Sequence, residues 1–221
     1  MPLWRSGFIV VFAMGLTAQT APVPVEQEPH HHVVFKNDSM IVMHVTLPAG
    51  ERTLYHTHAH DRAAIHLTAN TLTFQLPDEA ESPTQESQIG EISASTRSDI
   101  PYTHRVHNIG PGTFEVVDVE FLQRPNEITS KPLAKVAAEN PSARVYSWVL
   151  APGASSAEHA HTRPYLVVAV RAMPLTMTAP DGKSLSEEVK PGDVHWVDSK
   201  VTHTLTNEGA FEGQIVEIEL K

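Results

Sequence analysis

Apolar and polar residues alternate through most of the chain at a period of two, the spacing at which successive side chains of a β-strand face opposite ways. Leu72, Phe74 and Leu76 alternate with Thr71, Thr73 and Gln75. Val117, Val119 and Phe121 alternate with Asp118 and Glu120, and Val216, Ile218 and Leu220 with Glu217 and Glu219. Residues 166–170 are wholly apolar and predict a strand buried on both faces. Turn formers separate these runs at Pro48-Ala49-Gly50, Asn70, Asp181-Gly182 and Pro191-Gly192. No segment carries the period of a long amphipathic helix. The predicted fold class is all-β, built as antiparallel barrels or sandwiches.

The chain also repeats itself. Residues 37–78 align without a gap to residues 140–181 at an offset of 103, pairing Asn37 with Asn140, Ser39 with Ser142, Gly50 with Gly153, His56 with His159 and His58 with His161. A second block aligns at an offset of 99, pairing His104 with His203, Asn108 with Asn207 and Gly110 with Gly209. In that block the strand VVDVEF (116–121) matches IVEIEL (215–220). The change in offset falls in the polar stretch 79–99, which reads as a loop. Identity and hydrophobic pattern agree in both blocks, so the chain is read as a duplication. The join, 124–141, is polar and proline-bounded, with a short helical turn expected around 133–138.

Each half carries one constellation: a Gly, five residues, then His-x-His, and much later a His, three residues and an Asn. On a strand, residues i and i+2 face the same side. His56 and His58, or His159 and His161, would thus aim two imidazoles into one barrel, and His104 or His203 would add a third from a distant strand. Three histidines leave a metal ion with open positions. A metal also accounts for placing titratable rings in an interior where, unpaired, each would cost desolvation energy. The plain alternative is a barrel that kept the residues and lost the ion.

These motifs resemble those of the cupin superfamily in its two-domain (bicupin) form. The resemblance implies two tandem double-stranded β-helix, or jelly-roll, barrels, with the metal ligands His56, His58, His104, His159, His161 and His203. The chain departs from the cupin pattern where a glutamate ligand is expected: Arg62 stands there in one half and Tyr165 in the other. Arg62 would bind a substrate carboxylate or form a rim charge. Tyr165 would donate to a bound ligand or simply pack. His66 reads as a hydrogen-bonded buried ring or an outer partner of the site. His60 and Asp61 read as rim residues of a hairpin, Trp196 as barrel filling, and the run His30-His31-His32 as the start of a strand without specific metal function.

Composition narrows the partners. Net charge is −10 and no Lys/Arg run could follow a phosphate backbone, which excludes nucleic acid. Cysteine is absent, so disulfides and thiolate chemistry are excluded. Arg5 precedes an apolar run at 8–18 that is short for a membrane span, followed by small residues: a signal peptide, with export to the periplasm or medium and no stable span after cleavage. The expected layout is a signal peptide at 1–21, a leader at 22–32, barrels at 33–123 and 140–221, and a linker at 124–139. The function expected is a metal-dependent oxidoreductase of dioxygenase type acting on a small organic molecule, as a monomer or homo-oligomer. Iron(II) heads the candidate ions, ahead of manganese, zinc, nickel and copper. A metal-dependent lyase, isomerase or hydrolase and a non-catalytic binding cupin are the alternatives.

Overall fold

A computed structural model describes residues 21–125, 131–198 and 200–221. The first twenty residues, and with them nearly all of the expected signal peptide, lie outside the described residues, as do 126–130 of the join. The N-terminal half contains β1 (Val23–Pro24), β2 (His31–Lys36), β3 (Met40–Leu47), β4 (His56–His58), β5 (Asp61–His66), β6 (Asn70–Gln75), β7 (Gln85–Ser87), β8 (Ile92–Ser95), β9 (Tyr102–Asn108) and β10 (Phe114–Phe121). The C-terminal half contains β11 (Ala138–Glu139), β12 (Ala143–Leu150), β13 (His159–His161), β14 (Tyr165–Arg171), β15 (Met173–Thr178), β16 (Ser184–Val189), β17 (Val194–Val197), β18 (Val201–Asn207) and β19 (Gly213–Leu220). Among the described residues no helix is long and apolar enough to cross a membrane.

Each half is a pair of sheets. The first half pairs the order β1-β4-β9-β6-β7 with β2-β3-β10-β5-β8, and the second pairs β13-β18-β15-β16 with β11-β12-β19-β14-β17. The non-consecutive orders are those of a jelly roll. Each barrel has its own apolar filling: Val45, Leu47, Leu72 and Phe114 in the first, Leu150, Leu175, Leu205 and Ile215 in the second.

The largest apolar cluster belongs to neither interior. Val42, Ala63, Val117, Val119 and Phe121 of the first half pack with Val145, Leu166, Val168, Val216 and Ile218 of the second. The strands carrying them are therefore buried twice. On β10, Val117, Val119 and Phe121 face the other barrel, and Asp118 and Glu120 are also buried, at 2% exposure each. Residues 166–170 behave as expected: Leu166 and Val168 join the inter-barrel cluster and Ala169 the second barrel's own. Trp196, expected as barrel filling, instead stacks on Phe35 of the other half at 5.9 Å, so this aromatic serves the seam between barrels.

Three segments differ from their sequence reading. The leader is part of the first barrel: Val23 and Pro24 pair in parallel with His56 and Thr57, and β2 starts at His31. The join makes no helical turn at 133–138; Ala138–Glu139 pairs with Val145 and Arg144 as an added strand, where a sheet edge supplies the backbone partners that a single turn would lack. Asp61, expected on the rim, has no exposure. Its Oδ1 accepts from the N–H groups of Arg97 (3.0 Å) and Ser98 (3.2 Å), and Arg124 grips both oxygens at 2.9 and 3.0 Å. Ser142 of the second half donates to it at 3.0 Å. Burial opposes ionisation, but these donors outweigh it and hold the carboxyl well below its usual range.

This anchor carries a pH signature. A carboxylate whose folded pKa is depressed stabilises the fold above its unfolded pKa of about 3.9, and the stabilisation is lost as pH falls toward the folded value. Asp61→Asn is expected to lower the thermal midpoint by several degrees at pH 7, with the gap from wild type closing below about pH 4. A pH series of thermal unfolding curves measures it, and a gap that persists unchanged at acid pH contradicts it.

Candidate metal centres in the two barrels

The two motifs of each half meet because their strands are neighbours. β4 pairs antiparallel with β9 so that His56 lies opposite His104, and β13 pairs with β18 so that His159 lies opposite His203. The preceding Gly50 and Gly153 turn with φ of 78° and 69°, a region that costs glycine little. Their N–H groups donate to the carbonyls of Asn108 and Asn207 at 2.8 and 2.9 Å. The Asn108 amide donates to the Leu47 carbonyl at 2.8 Å, and Asn207 to Leu150 at 2.9 Å. The motif asparagine thus ties the strand bearing the third histidine to the turn that launches the first two.

In the first barrel the rings of His56, His58 and His104 lie 4.6 to 5.2 Å apart, centroid to centroid. All are at most 5% exposed. A fourth ring, His31, stands 4.6 Å from His56. Donor nitrogens of His31, His56 and His58 all fall within 4.8 Å of one another, close enough to share an ion. The His56 Nδ1–H donates to the Leu54 carbonyl at 2.9 Å, which leaves Nε2 bare, and that atom has no hydrogen-bond partner. Both ring nitrogens of His104 lack one as well. Burial, with His31 nearby, pushes His56 down to about 4. Burial next to Arg62 and the other rings holds His58 and His104 well below their usual range. Neutral imidazoles with orphaned nitrogens are what a cation requires, so these residues fit a metal ion.

Carboxylates stand behind the rings. His58 Nδ1 meets Glu120 Oε1 at 2.8 Å, and His31 Nδ1 meets Glu28 Oε2 at 2.6 Å. Such partners fix tautomer and ring orientation. Burial, then neighbouring Asp118, pushes the Glu120 carboxyl up to about 8, whereas hydrogen bonds from His31 and His30 overcome burial and hold Glu28 down at about 2. Arg62 does face this interior, but its guanidinium grips both oxygens of Asp118, with Nε to Oδ1 at 3.1 Å and Nη2 to Oδ2 at 2.5 Å. The two charges offset each other, and Nε and Nη2 of Arg62 are committed to Asp118. His66 reaches the same interior with its Nδ1 unpartnered. A cavity of about 260 Å³ opens here, walled by Leu47, Phe74, Phe114 and Val116, with the histidines, Arg62 and Asp118 at its polar end.

The second barrel is built differently around the same plan. His159 Nδ1–H donates to the Ala157 carbonyl at 2.9 Å, the repeat of the His56 contact. Ring centroids of His159, His161 and His203 lie 4.5 to 5.4 Å apart. A carboxylate joins them: Glu217 Oε2 lies 3.0 Å from His159 Nε2, and Oε1 lies 3.3 Å from His161 Nε2 and 3.1 Å from His203 Nε2. The glutamate absent at position 165 is thus replaced from the neighbouring strand, since β19 pairs with β14. Burial alone would raise the Glu217 carboxyl, but the three imidazoles hold it well below its usual range. Tyr165 does not point at an open position. It is buried and stacks on His161, with centroids 3.6 Å apart.

The residues that sequence reading missed are His31, Glu120, Asp118 and Glu217. The acidic residues did carry a signal, since Asp118 and Glu120 repeat as Glu217 and Glu219 at the offset of 99. A charge repeated inside an apolar strand marks an interior polar role. Glu120→Ala removes the carboxyl that holds the His58 ring by its Nδ1. It is expected to weaken metal binding by the first barrel about 10- to 100-fold while leaving the second barrel unchanged. Metal titration of the apo-protein, read one equivalent at a time, measures it.

No protein-family model matches the chain, and no curated protein does. Solved structures do. AerE from Microcystis aeruginosa aligns over 90% of this chain and 98% of its own, at 14% identity and a TM-score of 0.60. A cupin 2 conserved barrel domain protein from Leptotrichia buccalis aligns over 86% and 88%, at 12% identity and a TM-score of 0.53. A variant of the oxalate decarboxylase of Bacillus subtilis aligns over 83% and 69%, at 14% identity and a TM-score of 0.52. At these identities the likeness is one of fold, and it extends across both halves. With two jelly-roll barrels, each gathering the histidines of its two motifs, the chain has the fold of a two-domain cupin.

Proposed function

We propose that the N-terminal barrel is the reaction chamber of a metal-dependent oxidoreductase, a dioxygenase acting on a small, anionic, chelating organic molecule. One observation carries this reading: a cavity of the first barrel is lined by His31, His56, His58 and His104, whereas the one at the second barrel's mouth meets only His203 of its cluster. His31, His56, His58 and His104 would hold the ion. A divalent ion there supplies a Lewis acid and, if it is iron, electrons for dioxygen.

The chain's own residues set what the chamber accepts. Four neutral imidazoles leave the dication's charge uncompensated, and Arg62 with Asp118 adds none. Glu28 contributes one negative charge from behind His31. The net positive charge favours a ligand that brings its own anion to the ion. Arg62 and Asp118 form a rigid polar wall that orients such a molecule, and Phe74 and Phe114 exclude water. Glu120 and the Leu54 carbonyl hold the rings of His58 and His56 in the metal-binding tautomer.

A second reading rests on the carboxylate in the other barrel. Three histidines and Glu217 make a harder donor set that suits a redox-inert or manganese ion, and an oxalate decarboxylase has the same fold. A lyase acting on a small dicarboxylate fits those donors. Export of the chain, read from its N-terminal segment, belongs to the proposal as well.

Protein reconstituted with Fe(II) or Mn(II) would be offered β-diketones, thiol carboxylates, flavonols and oxalate while oxygen uptake and CO₂ release are recorded. Oxygen consumed in step with substrate supports the first reading, and CO₂ released without oxygen uptake supports the second. Neither signal with any class contradicts both. His56→Ala is expected to remove one metal equivalent and at least about 100-fold of the turnover, since an ion accounts for several kcal/mol of transition-state stabilisation.

A further inference from the structure

We propose that the C-terminal barrel holds a closed, structural metal site, completed by Glu217 from the last strand, whose ion stabilises the barrel and exchanges slowly. This goes beyond the catalytic reading of the first barrel, stands without it, and excludes the lyase reading of the second barrel.

The donors come first. Nε2 or Nδ1 of His159, His161 and His203 and an oxygen of Glu217 all lie within 4.8 Å of one another, on four residues no more than 5% exposed. Four protein donors fill the tetrahedral shell of a structural zinc site, whereas a catalytic zinc site keeps one position for water. The donors are also aimed. Trp148 Nε1–H donates to Glu217 Oε2 at 2.6 Å, fixing the carboxylate, while Oε1 makes no hydrogen bond. Both ring nitrogens of His161, a 2% exposed residue, lack hydrogen-bond partners. His159 Nε2 meets Glu217 Oε2 at 3.0 Å and His203 Nε2 at 2.8 Å, but Glu217 Oε1 and the His161 nitrogens stay without hydrogen-bond partners, and a cation among them would satisfy these.

The second observation is the seal. Trp148 stacks on the His159 ring at 4.4 Å and 20°, and Tyr165 stacks on His161 at 3.6 Å and 8°. The cavity at this barrel's mouth, about 340 Å³, is lined by Tyr165, Met177 and His195 but reaches only His203 of the four donors. A substrate entering there meets one of the four donor residues.

The duplication explains the difference. Asp118 stands in the first half where Glu217 stands in the second, and Arg62 stands where Tyr165 stands. Arg62 draws Asp118 into an ion pair, away from the histidines, and the first site stays open. Tyr165 carries no charge, so Glu217 turns to the histidines and the second site closes.

The test uses the full chain loaded with Co(II), followed by a chelator chase with absorption and thermal unfolding as readouts. The release is expected to be biphasic: a fast equivalent lost in His56→Ala, and a slow one with the strong visible absorption of four-coordinate Co(II). Glu217→Gln is expected to abolish the slow phase, weaken that equivalent at least about 100-fold, more than an outer hydrogen-bond partner is worth, and lower the thermal midpoint. Trp148→Phe, which preserves ring packing and frees Oε2, is expected to accelerate the slow phase without abolishing it. One release rate for both equivalents, a six-coordinate spectrum for the slow one, or a Glu217→Gln chain that retains the slow phase would overturn the proposal. None of these readouts depends on turnover, so a failed activity screen leaves the outcome intact.

Discussion

The whole molecule depends on two strands, β10 and β19, that are buried on both faces. Each sends its apolar set, Val117, Val119 and Phe121 or Val216 and Ile218, toward the other barrel. Each sends carboxylates inward: Glu120, Glu217 and Glu219 meet histidines, and Asp118 meets Arg62. Burying carboxylates in a strand is costly unless they are paired. The histidines, Arg62 and Trp148 are that pairing. The seam between barrels and the chemistry inside them are thus two sides of one strand, held in phase by the period of two.

The two halves use this plan with different outcomes. The tautomer-fixing contacts at Leu54 and Ala157 and the asparagine clamps repeat almost atom for atom. What changes is the side chain beside Asp118 in one half and Glu217 in the other. A guanidinium there makes a bidentate pair and takes the carboxylate out of the histidine cluster. A phenol ring there stacks on an imidazole and leaves the carboxylate to join it. Two positions, Arg62 against Tyr165 and Asp118 against Glu217, therefore separate an open, all-histidine cluster from a closed one that includes an oxygen donor.

Much of this was legible in the sequence because the signal was doubled. A gapless offset and two repeated motifs specify a fold and six histidines more firmly than either half alone. The acidic residues were visible as alternation, but alternation defines two faces without saying what each face meets. That information lies in the packing of one barrel on another. His31 was hidden in a run of three histidines with no motif spacing. Its place beside His56 follows from the pairing of β2 with β3 and the packing of their sheet on the one that carries β4, which local pattern does not encode. Asp61 and Trp196 were misread for the same reason: both serve the seam, and a reading of each half by itself contains no seam.

That seam has a consequence for how such a chain comes to exist. Its two contributing surfaces occupy equivalent strands of repeated units, so the contact is quasi-symmetric. A single unit freed from its twin would expose an apolar sheet and find its best cover in another copy of itself. Fusion of two copies fixes that partner at high local concentration and releases each copy from having to be identical. Divergence at a single side chain then touches one chamber and spares the other, a freedom that a self-pairing ancestor, bound to change both at once, does not have.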